Sequence, residues 1–148
     1  MPTTNSSLNS PDKLIMNPND SNKVIINFLE QNGFIIKIGS SHSEVDIRAI
    51  KKDVELLIES RGNQAYKNSG TDIVFDSSQL DIQLSEQVSQ VMRFQQSSTT
   101  SYTLIYIMAF PDITRMRDRV AKISKGLDKL EILRLWVSDI NEITIEGP

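Results

Sequence analysis

The chain has 148 residues, of which 39% are hydrophobic and 24% are charged, a balance typical of one globular domain. The net charge of −3 excludes a strongly basic protein, so contact with a polyanion would need a local patch or a bound cation. The absence of cysteine excludes disulfides and thiolate metal sites. Without an apolar run near the roughly 20 residues of a membrane span, or a signal-peptide pattern, we expect a cytoplasmic protein that contacts no membrane.

Residues 1–19 are rich in Ser, Thr, Asn and Pro, which predicts a loosely ordered tail, apart from a docked turn near Leu14. The folded domain is expected over residues 20–148. Asp20 or Ser21 is the expected cap of a first helix, which carries apolar residues at the 3.6-residue helical spacing.

Strands and helices then alternate along the chain. The first helix is expected to end near Asn32, and a long polar loop is expected over 62–78. Because strands separated by helices need crossover connections, we expect an α/β fold with a mixed central sheet flanked by helices. The other predicted elements are strands over 34–38, 45–51 and 54–61, a helix over 79–96, a strand over 102–110, a helix over 112–126, and strands over 131–137 and 143–145.

Two of these strands form a hairpin whose register follows from the residue pattern. With Lys52 and Asp53 as the turn, Asp46 faces Glu59, and the opposite face of the hairpin is uniformly apolar. A slip of one residue would mix Glu55 and Glu59 into the apolar face, so the first register is favoured. Opposed carboxylates would have β-carbons about 4.5–5.5 Å apart, and a hard cation such as Mg²⁺ between them would relieve their repulsion.

The same face of the hairpin also carries an arginine. Arg61 lies two residues beyond Glu59, so Asp46, Glu59 and Arg61 form one local constellation. Asp46 followed by Glu59-Ser60-Arg61-Gly62 at the end of an apolar strand resembles the Asp…Glu-X-Lys-Gly signature of the PD-(D/E)XK nuclease-like, or restriction-endonuclease-like, superfamily.

Later segments extend this resemblance over residues 20–148. The helical run 84–91 contains Gln87 and is similar to the Gln-bearing helix of many members. The segments Ala109–Asp112 and Leu133–Val137, with a basic helix between them, are similar to the closing part of that fold. The resemblance therefore implies a three-layer restriction-endonuclease-like domain with a mixed sheet.

The resemblance also implies an activity, the hydrolysis of phosphodiester bonds in DNA with Mg²⁺ or Mn²⁺. Asp46 and Glu59 would be metal ligands, with the backbone carbonyl of Ser60 as a further ligand. Gln87 would contact substrate or water. The family often adds an acid from the first helix, for which Asp20 and Glu30 are the two candidates.

The sequence departs from the family signature at two places. Arg61 stands where the family usually has Lys, and the residues before Asp46 are Glu44-Val45 rather than a Pro. Arginine stays protonated and cannot act as a general base, although it can clamp a phosphate with two hydrogen bonds. The alternative to a nuclease is therefore a non-cleaving protein of the same fold that binds DNA or assembles with proteins, a homodimer included. A purely structural subunit is the third hypothesis.

Other polar and aromatic residues have two interpretations each. His42, the one histidine, lies in a Ser-rich loop and is interpreted as a solvated residue. Tyr66 and Phe75 could stack on bases or anchor their loop to the core, and anchoring is the default interpretation. The basic residues of the third helix are interpreted as a solvated face rather than a nucleic-acid contact: Arg115, Arg117, Arg119, Lys122 and Lys125.

Overall fold

The computed structural model describes residues 2–38, 46–97 and 100–148. It confirms an α/β fold in which a six-stranded mixed sheet packs against helices. The predicted loop that contains His42 lies outside the described residues. The elements are β1 (Thr3–Thr4), α1 (Pro18–Gln31), β2 (Ile35–Ile38), β3 (Ile47–Lys51), β4 (Val54–Ser60), β5 (Ile73–Val74), α2 (Ser77–Ser97), β6 (Thr103–Pro111), α3 (Thr114–Ala121), α4 (Ser124–Lys129), β7 (Ile132–Val137) and β8 (Ile143–Glu146).

The large sheet has the strand order β2-β3-β4-β6-β7-β8. Strands β2, β3 and β4 are antiparallel neighbours, β4, β6 and β7 run parallel, and β8 is antiparallel to β7. The parallel pairs are joined through α2 and through α3 with α4, as crossover connections require. The hairpin has the predicted register, because Arg48 lies opposite Leu57 and Ile50 lies opposite Glu55.

Helices cover both faces of the sheet. On one face, Ile25 of α1 belongs to the same buried cluster as Ile58 of β4. On the other face, Leu84 of α2 and Met116 of α3 share a cluster with Trp136 of β7. These are the helix positions that the apolar spacing predicts.

The first helix begins earlier than expected. The cap is Asn17 rather than Asp20 or Ser21, and Pro18 is the first helical residue. The side chain of Asn17 accepts a hydrogen bond from the amide of Asp20, and the Asp20 carboxylate accepts one from the amide of Asn17. This reciprocal capping pairs two amides that would otherwise lack partners, so Asp20 supports the cap from inside the first turn.

Residues that precede α1 contact the domain through polar groups. β1 pairs antiparallel with β5 in a small second sheet. The carboxylate of Asp12 is buried and accepts hydrogen bonds from Arg115 of α3 and from Asn63. Asn63 also accepts from the amide of Met16, a buried residue. These contacts hold residues 2–17 and the long loop after β4 against each other.

The predicted third helix is two helices, α3 and α4. The backbone of Ile123 departs from helical values between them. The change of direction lets Leu127 of α4 join the same buried cluster as Val120 of α3. In the described part of the chain, no helix is long and apolar enough to cross a membrane.

Candidate functional site

The candidate site lies at the carboxyl end of β4, where the hairpin brings Asp46 and Glu59 together. Asp46 comes directly before β3 rather than within it, and its Oδ2 accepts a 2.9 Å hydrogen bond from the amide of Ser60. Side chains alternate along β4, so Glu59 and Ser60 project from opposite faces of the sheet. Asp46 lies close enough to Glu59 for its charge to raise the pKa of the Glu59 carboxyl.

Glu59 is a buried carboxylate with an incomplete set of partners. Its side chain is almost fully enclosed, and its Oε2 atom has no hydrogen-bond partner. Burial and, secondly, the neighbouring charge of Asp46 raise the pKa of Glu59 to about 7. A buried carboxylate oxygen without a partner is costly, so this atom is a natural position for a ligand or a cation.

Arg61 contacts the same carboxylate. Its Nη1 donates to Oε1 of Glu59 and, over 3.0 Å, to the backbone carbonyl oxygen of Ser60. The arginine side chain is about 20% exposed. The guanidinium therefore bridges two of the three oxygen donors that the motif assigns to a metal.

The side chain of Ser60 lies on the opposite side of the sheet from Glu59 and faces α1. The Ser60 hydroxyl hydrogen-bonds to Oδ1 of Asn22, which lies in the second turn of α1. Asn22 was not among the site residues predicted from the sequence. The signal was present, since Asn22 precedes the buried Ile25 by three residues and so lies on the helix face that packs against the sheet.

The position of Asn22 also shows which of the two candidate acids of the first helix lies nearer to the site. Asp20 lies at the same end of α1 as the site, and its charge acts on Tyr66 together with that of Asp46. Glu30 is eight residues beyond Asn22, which is about 12 Å along a helix axis. Asp20 is therefore the nearer of the two acids, although its carboxylate takes part in the helix cap.

Gln87 is fully buried under the end of β4 and does not reach solvent. Its amide nitrogen donates to the carbonyl oxygens of Glu59, at 2.8 Å, and Ala109, at 3.1 Å. These bonds tie α2 to both β4 and β6. In this arrangement Gln87 contacts the backbone that positions Glu59, and a direct contact with substrate would need a rearrangement.

The two loop aromatics have different surroundings. Phe75 packs against the buried cluster beneath α2, in agreement with anchoring. Tyr66 is 54% exposed. Partial burial and then the charge of Asp46 raise the pKa of Tyr66 above its ordinary value, which indicates that its hydroxyl lies near the candidate site.

The arginines of α3 are engaged within the protein. Arg115 binds Asp12, Arg117 binds Asp112, and Arg119 binds Asp81. These pairs account for the charge of the helix without a nucleic acid. The remaining two basic residues of the predicted set, Lys122 and Lys125, lie beyond α3.

The donor atoms at the end of β4 fit a hard cation that keeps part of its water shell. Two carboxylates and one carbonyl oxygen are the ligands that Mg²⁺ takes in proteins, where it commonly uses one or two carboxylates and several waters. The unpartnered Oε2 of Glu59 is consistent with such a ligand. Over residues 2–38, 46–97 and 100–148, no group of three or more His, Asp or Glu side chains is arranged to hold a metal.

A cavity of about 410 Å³ adjoins the site along α2. Arg61 contributes to its wall, and Arg93 contributes a second guanidinium. The other lining residues come from one helix face: Ser85, Glu86, Ser89 and Gln90. The site therefore opens into a groove that carries two guanidinium groups and one carboxylate.

Comparison of the chain with protein-family models, with curated proteins and with solved structures finds no match. We therefore infer function from the geometry of the site and from the motif that its residues form. The assignment of that motif to the PD-(D/E)XK superfamily stays a prediction.

Proposed function

We propose that this protein is a divalent-metal-dependent nuclease-like protein that acts on phosphodiester bonds in DNA. The observation that carries the proposal is the buried carboxylate of Glu59, which has an unpartnered oxygen and lies beside Asp46. The order α1-β2-β3-β4-β5-α2-β6 and the mixed sheet support the restriction-endonuclease-like fold that the motif implies. DNA is the proposed partner.

The residues have distinct proposed roles. Asp46 and Glu59 hold Mg²⁺ or Mn²⁺ through carboxylate oxygens, and the carbonyl of Ser60 completes the protein ligands. A bound divalent cation supplies activation of water and compensation of charge on the phosphate. Arg61 hydrogen-bonds a phosphate oxygen through its guanidinium, a planar donor suited to bidentate contact. Gln87 positions the end of β4.

Metal binding gives the first test. A ligand that binds only the folded state stabilises it by about 2.7 kcal/mol when the ligand concentration is 100 times the dissociation constant. Mn²⁺ and Mg²⁺ should therefore raise Tm. Asp46→Ala and Glu59→Gln should remove this rise. Glu55→Gln is the matched control, because Glu55 is a buried carboxylate on the same strand that pairs with Arg48 instead. An unchanged Tm at millimolar metal, or an equal loss in the control, would contradict the metal site.

Cleavage gives the second test. Single-stranded, duplex and branched DNA should be incubated with Mn²⁺ and the native chain, beside Glu59→Gln at equal concentration. We expect products with the native chain and none with the variant. Products that persist with Glu59→Gln would come from another site or a contaminating enzyme.

A non-cleaving DNA- or protein-binding module of the same fold is the second candidate. It is favoured by the contacts of Arg61, which place a fixed positive charge on Glu59 and Ser60. This candidate predicts DNA or partner binding without products in Mn²⁺. Arg61→Lys separates the two candidates, since cleavage gained by this variant would identify Arg61 as the change that disabled the site.

A further inference from the structure

The Nη1 atom of Arg61 contacts two of the oxygens that are proposed as metal ligands. Nη1 donates to Oε1 of Glu59 and to the carbonyl oxygen of Ser60, at 3.0 Å for the carbonyl. Mg²⁺ binds oxygen at about 2.1 Å, so an ion that took these two oxygens would overlap the guanidinium nitrogen. The two cations therefore exclude each other from Glu59 Oε1 and from the Ser60 carbonyl, while Oε2 of Glu59 has no hydrogen-bond partner.

Charge adds to this exclusion. Arginine stays protonated at every pH at which proteins fold, so its charge cannot be removed to admit a second cation. The site of Glu59 is enclosed, and charges in such surroundings are screened less than at the surface. A metal ion and the guanidinium of Arg61 cannot share Glu59 Oε1 at low cost.

The structure offers Arg61 another place. The cavity along α2 has Arg61 in its wall, and its charged lining residues from the helix are Glu86 and Arg93. Movement of the side chain into this cavity would free Oε1 of Glu59 and the Ser60 carbonyl.

We propose that Arg61 is a tethered cation that occupies the Glu59–Ser60 end of the site, and that a divalent metal takes Glu59 Oε1 and the Ser60 carbonyl only when Arg61 moves into the adjoining cavity. This inference rests on the proposed function, because it takes Asp46, Glu59 and Ser60 as the metal ligands. If the inference holds, substitution of Arg61 changes the metal affinity. If Arg61 does not compete with the metal, the same substitution leaves the affinity unchanged.

The direct test is Mn²⁺ titration by calorimetry of the native chain and of Arg61→Gln. The variant should bind Mn²⁺ about tenfold more tightly or better, since that factor corresponds to one charge-assisted hydrogen bond that the metal no longer has to break. Arg61→Lys, which keeps the charge on a more flexible stem, should bind with an affinity between the two. Arg48→Gln is the control, because Arg48 binds Glu55 by similar contacts outside the site, and its affinity should equal that of the native chain.

A second measurement uses the native chain and avoids the effect of a substitution on folding. The guanidinium ¹⁵N–¹H signals of Arg61 and Arg48 should be followed by NMR during titration with Mg²⁺. We expect the Arg61 signals to shift as its bonds to Glu59 and Ser60 break, while the Arg48 signals stay in place.

The outcomes separate the two claims. Equal or weaker Mn²⁺ binding by folded Arg61→Gln, or Arg61 signals unmoved by saturating Mg²⁺, overturns the tethered-cation inference and leaves the metal site standing. Loss of all Mn²⁺ binding in the native chain and in folded Arg61→Gln overturns the proposed metal site and the inference with it. Tighter binding by Arg61→Gln that disappears in the double variant with Asp46→Asn supports both.

Discussion

The amide of Ser60 donates a 2.9 Å hydrogen bond to Oδ2 of Asp46, which joins the residue before β3 to the last residue of β4. The bond holds the Asp46 carboxylate at the end of the hairpin, on the side where Glu59 is buried. It also gives Asp46 a structural role that is separable from metal binding.

Asp46→Asn and Asp46→Ala should therefore differ when metal is absent. Asparagine keeps an oxygen that can accept from Ser60 and removes a negative charge beside Glu59, so the free energy of unfolding should stay the same or rise. Alanine removes the acceptor and should cost about 1 kcal/mol. Urea denaturation in EDTA measures both, and equal destabilisation by the two variants would contradict the assigned hydrogen bond.

Gln87→Ala should be strongly destabilising, because Gln87 is buried and its amide donates to two backbone carbonyls. Loss of the packing and of these bonds should cost about 2–4 kcal/mol in urea denaturation. Gln96→Ala, at an exposed position of the same helix, should change stability by less than about 0.5 kcal/mol. A similarly small effect at Gln87 would indicate a side chain free to serve substrate instead.

Asp12→Ala should detach residues 2–17 from the domain. Asp12 is almost completely buried and pairs with Arg115, so its removal leaves a poorly solvated charge and should cost about 3 kcal/mol. Asp81→Ala provides the comparison, since Asp81 pairs with Arg119 at a site where the carboxylate is 65% exposed. We expect a loss below about 1 kcal/mol there. Equal losses in urea denaturation would contradict the burial of the Asp12 pair.

Gly62→Ala should destabilise through a steric clash. A β-carbon at Gly62 would lie 2.1 Å from the carbonyl oxygen of Met16, a backbone atom that cannot move independently. Overpacking of this kind costs about 1–3 kcal/mol. Gly126→Ala in α4 meets no atom within 4 Å and should stabilise by about 0.5–1 kcal/mol. A rise in Tm for Gly62→Ala would mean that residues 16–17 do not lie against the end of β4.

Acid should weaken the contact between Asp112 and Arg117. The hydrogen bonds from Arg117 hold the pKa of Asp112 below its ordinary value, so the folded state binds fewer protons there than the unfolded chain. The stabilisation is complete above the unfolded pKa of about 3.9 and is lost as pH falls through the lowered folded pKa. The difference in unfolding free energy between the native chain and Asp112→Asn should therefore shrink in strong acid. Urea denaturation of the two proteins at neutral and at strongly acid pH measures this difference.

Much of the fold could be predicted because its signals are local. The apolar stripe around Ile25 depends only on the 3.6-residue period of its helix. The alternation of Ile47 and Ala49 depends only on the two-residue period of its strand. The predicted cap of α1 was wrong because Asn17 lies in a polar segment that was interpreted as a tail. The Asn-Pro pair that starts the helix was therefore not recognised. The break at Ile123 was missed because the apolar spacing continues across it.

The residue pattern alone places Asp46 and Glu59 on one side of the hairpin, since a period of two and an apolar opposite face leave one register. The three-dimensional arrangement was needed to find that Arg61 binds Glu59 and Ser60. It was also needed to find that Asn22 reaches Ser60 and that Gln87 contacts backbone. Those contacts depend on how far each side chain reaches and on which helix covers which end of the sheet. The hydrophobic period of a single helix or strand does not specify either of these.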